Sequence, residues 1–304
     1  MRILILGAGA IGGYYGAHLI AAGGDISFLV RPRRAEQLAR DGLVVHSRGQ
    51  EIHHQVKTVQ ADAVGGPYDL ILLACKAYDL EPAMAAIAPA IGPDTVIVPI
   101  LNGIAHFDAL DASFGAPRVM GGVCMISITL DAQGHIRHFG AMDTMLFGDR
   151  HGRAVPQLAA LAELFAKTPV TARVSADIVQ DLWDKWAMLA AGGALTCLLR
   201  GSVSEIMATR DGRMIAEAIA EECRALCEAA GHTPRPEAFK RTLGMLTDAT
   251  SPFITSMRRD VDNEAPKLEA DHILGDLLTR GGLPAPYVRA AYSQLQIYGA
   301  KHRG

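Results

Sequence analysis

The chain has 304 residues, more than one hydrophobic core ordinarily organises, so two domains are expected. Half of the residues are hydrophobic and 20% are charged, which excludes a disordered chain. With 29 basic against 32 acidic residues the net charge is −3, so no overall field invites nucleic acid or an anionic membrane.

Residues 3–6 form a short apolar run suited to a strand buried on both faces of a parallel sheet. The run is too short for a signal peptide, and no apolar stretch reaches the ~18–20 residues of a membrane span. Glycines follow at once, then a helical stretch over residues 10–22 that Gly23 and Gly24 close. Residues 26–30, 70–74 and 96–100 read as further strands, with a helix over about 80–90. Strands alternating with helices predict a doubly wound sheet.

After Gly115 the texture changes. Residues 119–129, 134–139 and 144–147 look like successive strands with tight turns, an antiparallel extension of the sheet. A helix is predicted over 156–167. From Ser175 the pattern is helical, with a long first helix through Trp183 and Lys185 and others at about 211–230, 236–247, 265–280 and 286–298. The expected division is a Rossmann-type α/β domain over residues 1–172 and an all-α domain over 173–304.

The five cysteines are an odd number in a chain too long to need disulfide staples, which fits a reducing cytoplasm. Cys223 and Cys227 lie four apart with no further ligand nearby in sequence, so they read as core thiols, and no metal is expected.

Gly7-Ala8-Gly9-Ala10-Ile11-Gly12 is a G-x-G-x-x-G turn between a buried strand and a helix, the context in which the pattern is informative. Gly7 permits the turn, Gly9 admits a pyrophosphate, and Gly12 lets helix pack on strand. The helix N-terminus then favours the negative charge. The second strand ends in Val30-Arg31-Pro32-Arg33-Arg34, with no carboxylate to bind a ribose hydroxyl. Guanidinium groups pair with a 2′-phosphate, so NADP(H) is the expected cofactor and Arg31 the expected contact.

Lys76 follows the strand at 70–75 and Asn102-Gly103 follows the strand at 96–100. Both positions are carboxyl ends of strands, where open α/β sheets bind ligands. Lys185, in Leu182-Trp183-Asp184-Lys185-Trp186-Ala187, is bracketed by large apolar residues and followed by a long apolar run. Burial there would bring its ammonium towards the range for proton donation. Glu269 and His272 fall on one face of a predicted helix.

In these features, taken in order along its whole length, the chain resembles the ketopantoate reductase (2-dehydropantoate 2-reductase) family. The resemblance rests on the glycine turn, Arg31, Cys75-Lys76-Ala77, Asn102-Gly103, Leu182-Trp183-Asp184-Lys185, Ser256-Met257 with Asp260, and Leu268-Glu269-Ala270-Asp271. It implies hydride transfer from NADPH to the 2-keto group of ketopantoate, giving pantoate on the route to pantothenate and coenzyme A. It also implies a general-acid role for Lys185, a substrate-hydroxyl contact for Glu269, a carboxylate contact for Ser256, and cofactor and substrate contacts for Lys76 and Asn102. The helical half could support a homodimer.

The chain also departs from that pattern. Family members carry asparagines four and eight residues beyond the lysine, where Leu189 and Gly193 stand here. A third asparagine, five residues beyond the glutamate, is Leu274, and the segment between Asp260 and Glu269 is about one residue longer. Leu189 and Gly193 are expected to line the substrate pocket, with Gly192-Gly193 opening space beside the lysine. Thr196, His272 or Ser256 could bind ketopantoate in place of the lost amides. Alternatively the substrate is a bulkier or more apolar 2-keto acid. A third reading is an NADP(H)-binding regulator without turnover.

Overall fold

The computed structural model describes residues 1–302. The chain divides into two compact units. One comprises Met1–Leu101 and His106–Val179, the other Asn102–Ala105 and the residues from Gln180 on.

The first unit is built on β1 (Arg2–Leu6), α1 (Ala10–Ala21), β2 (Asp25–Leu29), α2 (Pro32–Asp41), β3 (Leu43–Ser47), β4 (Gln50–His54), β5 (Lys57–Val59), β6 (Leu70–Leu73), α3 (Leu80–Ile87), β7 (Val96–Pro99) and α4 (His106–Phe114). Five of these strands form an all-parallel sheet in the order β5-β2-β1-β6-β7. Every residue of β6 and β7 is buried, as expected where helices cover both faces. The strand order reverses beside β1, so the turns after β1 and β6 flank the switch point where such sheets bind ligands.

The antiparallel strands, β8 (Gly121–Leu130) and β9 (Ile136–Gly148), belong to a second sheet. Its order is β10-β9-β3-β4, with β8 also on β9 and β10 spanning Thr171–Val174 after α5 (Pro156–Phe165). The two short strands expected over 134–139 and 144–147 are one strand interrupted by a bulge. The ladder steps from Ile126 opposite Asp143 to Ser127 opposite Phe139, and Gly140 takes the turn at φ +76°. Asp143 is buried despite its charge. The buried Tyr14 hydroxyl donates to its carboxylate, and Arg48 lies 3.6 Å away. Burial pushes the Tyr14 hydroxyl well above its usual range and keeps it a donor.

The second unit is helical: α6 (Ile178–Leu199), α7 (Val203–Met207), α8 (Gly212–Ala229), α9 (Pro236–Leu246), α10 (Ser256–Asp262), a π-helical turn over Asp271–Gly275, α11 (Asp276–Gly281) and α12 (Pro286–His302). Asp184 on α6 accepts from the Arg235 main-chain N–H at 3.0 Å and from its guanidinium, fixing α6 against the start of α9. The helix expected over 265–280 begins later. Glu264 has φ +52° and Pro266 disfavours the helical conformation in the residue before it. Glu269 therefore stands ahead of the π turn, and its face relation to His272 is not that of a regular helix. No helix among the described residues is long and apolar enough to cross a membrane.

Candidate active site

The glycine turn lies in the first unit. Gly7 takes φ +94°, and its N–H donates to Leu29 O at 2.9 Å, which ties the turn to β2. A Cβ at Gly12 would lie 2.1 Å from Gly7 O and 3.0 Å from Ala74 Cβ, so only glycine lets α1 come this close to β1 and β6. A Cβ at Gly9 would meet nothing within 4 Å, so this position faces free space at the helix start. Ala8 is buried, and Ala10 and Ile11 open α1, with Ile11 packed against the core. The first turn of α1 carries no acid, so its exposed N–H groups suit an anion.

Arg31 caps α2 and pairs with Asp79 at 3.1 Å while its side chain stays 75% exposed. Arg34 was singled out in the sequence only as one of three arginines, yet it is the one joined to the glycine turn. Its Nε donates to Ala8 O at 3.0 Å, and its Nη1 donates to Gln37 Oε1 at 2.7 Å and to Gly134 O at 3.1 Å. Burial lowers its pKa. The signal available in the sequence was the helical i, i+3 spacing of Arg34 and Gln37. Beside α2 and the turn at 131–134 lies an open cavity of about 900 Å³, lined by Arg31, Arg33, Arg34 and Arg40 with Glu36 and Asp131. Lys76, half-buried, precedes a single 3₁₀ turn, Ala77–Asp79, beyond β6.

The second unit gathers the other residues. Asn102 reaches it through the short segment Asn102–Ala105. The Lys185 ammonium donates to Asn102 Oδ1 at 3.0 Å. Gly103 is buried with φ +72°, and a Cβ there would lie 2.9 Å from His272 Cδ2 and 3.0 Å from His272 O. His272 hydrogen-bonds to the Asn102 main chain and feels the negative field of Glu269. Glu269 is 5% exposed. Next to Lys185, the Trp186 indole N–H donates to Ile273 O at 2.9 Å. Lysine and π turn are thus held by neighbouring residues of α6.

The positions that depart from the family pattern pack in three ways. Leu274 is fully buried in the π turn. Leu189 is half-buried. The space expected beside Gly192 and Gly193 is filled: a Cβ at Gly193 would lie 2.7 Å from Met257 Cε, and one at Gly192 would lie 3.1 Å from Thr255 Cγ2. Two glycines in the middle of α6 are what let the start of α10 and its capping Thr255 lie against it. Thr196 is also fully buried, its hydroxyl donating to Gly192 O at 2.8 Å and lying 3.1 Å from Thr255 Oγ1, so it belongs to this contact. Ser256, half-buried, opens α10 after the capping Thr255.

Among the described residues no group of three or more His, Cys, Asp or Glu could hold a metal ion. Cys223 and Cys227 are buried thiols, and burial pushes Cys227 up to about 12.

The sequence model described as ketopantoate reductase PanE/ApbA matches residues 3–152, and that of its C-terminal domain matches residues 177–299. The chain belongs to the ketopantoate reductase family. As a member of that family it is an oxidoreductase. It is 34% identical to an uncharacterized oxidoreductase, YkpB, of Bacillus subtilis, over 99% of this chain and 100% of that protein. The crystal structure of a 2-dehydropantoate 2-reductase from Geobacter metallireducens is similar with TM-score 0.87 and 30% identity, covering 98% of this chain and 99% of that one. A D-mandelate dehydrogenase solved with NADH and anilino(oxo)acetate shares the fold, with TM-score 0.88 over 100% of both chains at 22% identity. The shared fold alone therefore does not select the 2-keto acid.

Proposed function

We propose that the chain reduces a 2-keto acid with NADPH, and that ketopantoate, giving pantoate, is the leading substrate. The observation that carries this reading is the Lys185 ammonium held at 3.0 Å by Asn102 Oδ1 in the unit that also holds buried Glu269. An ammonium has three N–H donors. The bond to Asn102 aims the group.

The residues of the glycine turn fit a dinucleotide: the open face at Gly9 admits a pyrophosphate to the start of α1, and Gly12 keeps that start close to the sheet. Arg31, at the rim of the arginine-lined cavity, would pair with a 2′-phosphate, and Lys76 and Asn102 would serve the cofactor and substrate side. When bound, NADPH supplies the hydride that reaches the carbonyl carbon.

Negative charge then develops on the carbonyl oxygen. Lys185 stabilises that charge and delivers a proton from Nζ to the oxygen. Glu269 accepts a hydrogen bond from the substrate hydroxyl, and the Ser256 hydroxyl donates to the carboxylate. The same reading places the reaction in the cytoplasm, on the route to pantothenate and coenzyme A, with a homodimer compatible with it.

Half-buried Leu189 and the Met257 methyl over Gly193 favour a second reading, a 2-keto acid more apolar than ketopantoate, because apolar groups stand where family members have amides. NADPH oxidation followed with ketopantoate, 2-ketoisovalerate and phenylglyoxylate separates the readings. Fastest turnover with ketopantoate supports the first, and preference for phenylglyoxylate supports the second. Tight NADPH binding without oxidation by any 2-keto acid points instead to a regulator.

A further inference from the structure

The sequence offers His272 as a substitute ligand for substrate, but its place in the second unit is behind Asn102. The ring edge lies where a Gly103 side chain would be, with Cδ2 at 2.9 Å and Nε2 at 3.2 Å from that Cβ position. It hydrogen-bonds to the Asn102 main chain. Asn102 in turn accepts from Lys185 at 3.0 Å. The π turn that carries His272 is itself braced on both sides. Trp186 donates to Ile273 O at 2.9 Å, and the Tyr292 hydroxyl donates to Asp271 Oδ1 at 2.6 Å. We propose that His272 is a positioning residue for proton delivery: seated on Gly103 and bonded to the Asn102 main chain, it fixes the carboxamide that aims the Lys185 ammonium.

The inference rests on the reading of Lys185 as the proton donor. It differs from a substrate-ligand role because the ring acts through Asn102. Three charged groups face the ring: Glu269 and Asp276 favour its protonated form, and Arg280 disfavours it. Burial outweighs the carboxylates and holds the ring below its ordinary 6.5, so a neutral imidazole rather than a second cation stands behind the lysine at neutral pH. Gly103 is part of the same device, since any side chain there would take the room of the ring and meet φ +72°.

The test compares His272→Ala, His272→Gln and Lys185→Ala with the wild-type protein. With NADPH and ketopantoate or phenylglyoxylate, H272A should lower kcat on the order of 10²-fold, as expected for a displaced catalytic group, while KM for NADPH holds. H272Q keeps a side-chain N–H and should recover most of that loss. A second readout needs no substrate: the side-chain amide NMR signals of Asn102 should broaden or split in H272A and return in H272Q. Wild-type kcat in H272A, or a sharp and unshifted Asn102 signal, would overturn the positioning role. Near-normal turnover in K185A would overturn the proton-donor reading instead, and the Asn102 signals would still decide whether His272 holds the carboxamide.

Discussion

The terminal methyl of Met257 occupies the place of a side chain at Gly193, 2.7 Å from where a Cβ would sit. Gly193, which departs from the family pattern, and Met257, which belongs to it, are therefore one packing unit. The clash is with the far end of a flexible side chain, so Gly193→Ala should be nearly neutral: the gain in helix propensity of up to ~1 kcal/mol offsets the shift of the methyl. Gly193→Asn, which installs the family's residue, should cost about 1–3 kcal/mol by overpacking. Met257→Ala in the same chain should relieve it. Thermal melts of the three variants check this; a G193N protein as stable as wild type would mean that Met257 does not hold the space.

The glycine turn separates cofactor binding from packing within one hexamer. Gly9→Ala meets nothing within 4 Å and has φ −75°, so it should fold normally and lose NADPH affinity by at least about tenfold, because the new methyl stands where backbone meets pyrophosphate. Gly12→Ala, 2.1 Å from Gly7 O, should lower the melting temperature itself. Melting curves and NADPH titration of both proteins would show the split; equal NADPH affinity in G9A and wild type would remove the pyrophosphate from this turn.

Arginines 31 and 34 should fail differently. Arg31→Ala removes an exposed ion pair to Asp79, so stability should hold while NADPH affinity falls much more than NADH affinity. Arg34→Ala deprives Ala8 O, Gln37 and Gly134 O of a donor and should weaken both cofactors alike, by roughly 5–50-fold if one or two hydrogen bonds of turn order are lost. Calorimetric titration with NADPH and NADH measures the pattern. An equal loss for both cofactors in R31A would sink its 2′-phosphate assignment.

Acid stability should report on the loop after β9. The Arg153 side chain, with the main-chain N–H groups of Arg153 and His151, holds the Asp149 carboxyl at about 2, below its ordinary 3.8. The group is depressed in the folded state, so its stabilisation is complete above pH ~4 and is lost as pH falls through about 2. Asp149→Asn should lower the melting temperature at pH 7 and flatten its decline below pH 4. A decline of wild-type steepness in D149N would place the acid sensitivity elsewhere.

The parallel sheet was legible because its strands are continuous apolar runs, and Lys185 because a charge between two tryptophans stands out. What escaped was set by partners distant in the chain. β9 reads as two strands because a bulge at Gly140 interrupts it, and nothing local shows that Asp143 is buried against Tyr14 and Arg48. The mostly polar residues of α2, β4 and β5 leave few apolar positions to mark them as elements: in α2 only Leu38 is buried. Gly192-Gly193 reads as empty space because the side chains that fill it lie some sixty positions on, at Thr255 and Met257. The approach of Asn102 to Lys185 spans 83 positions and has no local signature; only the likeness to a family placed both residues in one site.

The central claim is that hydride from NADPH and a proton from Lys185 reduce a 2-keto acid. Its most direct test is a single-turnover reaction with NADPH deuterated at the transferring position and ketopantoate, followed by mass spectrometry of the product. The wild-type protein should yield a 2-hydroxy acid carrying one deuterium at C2, and Lys185→Ala should bind NADPH equally while forming that product at least about 10²-fold more slowly. Product without deuterium, or K185A turnover close to wild type, would contradict the account.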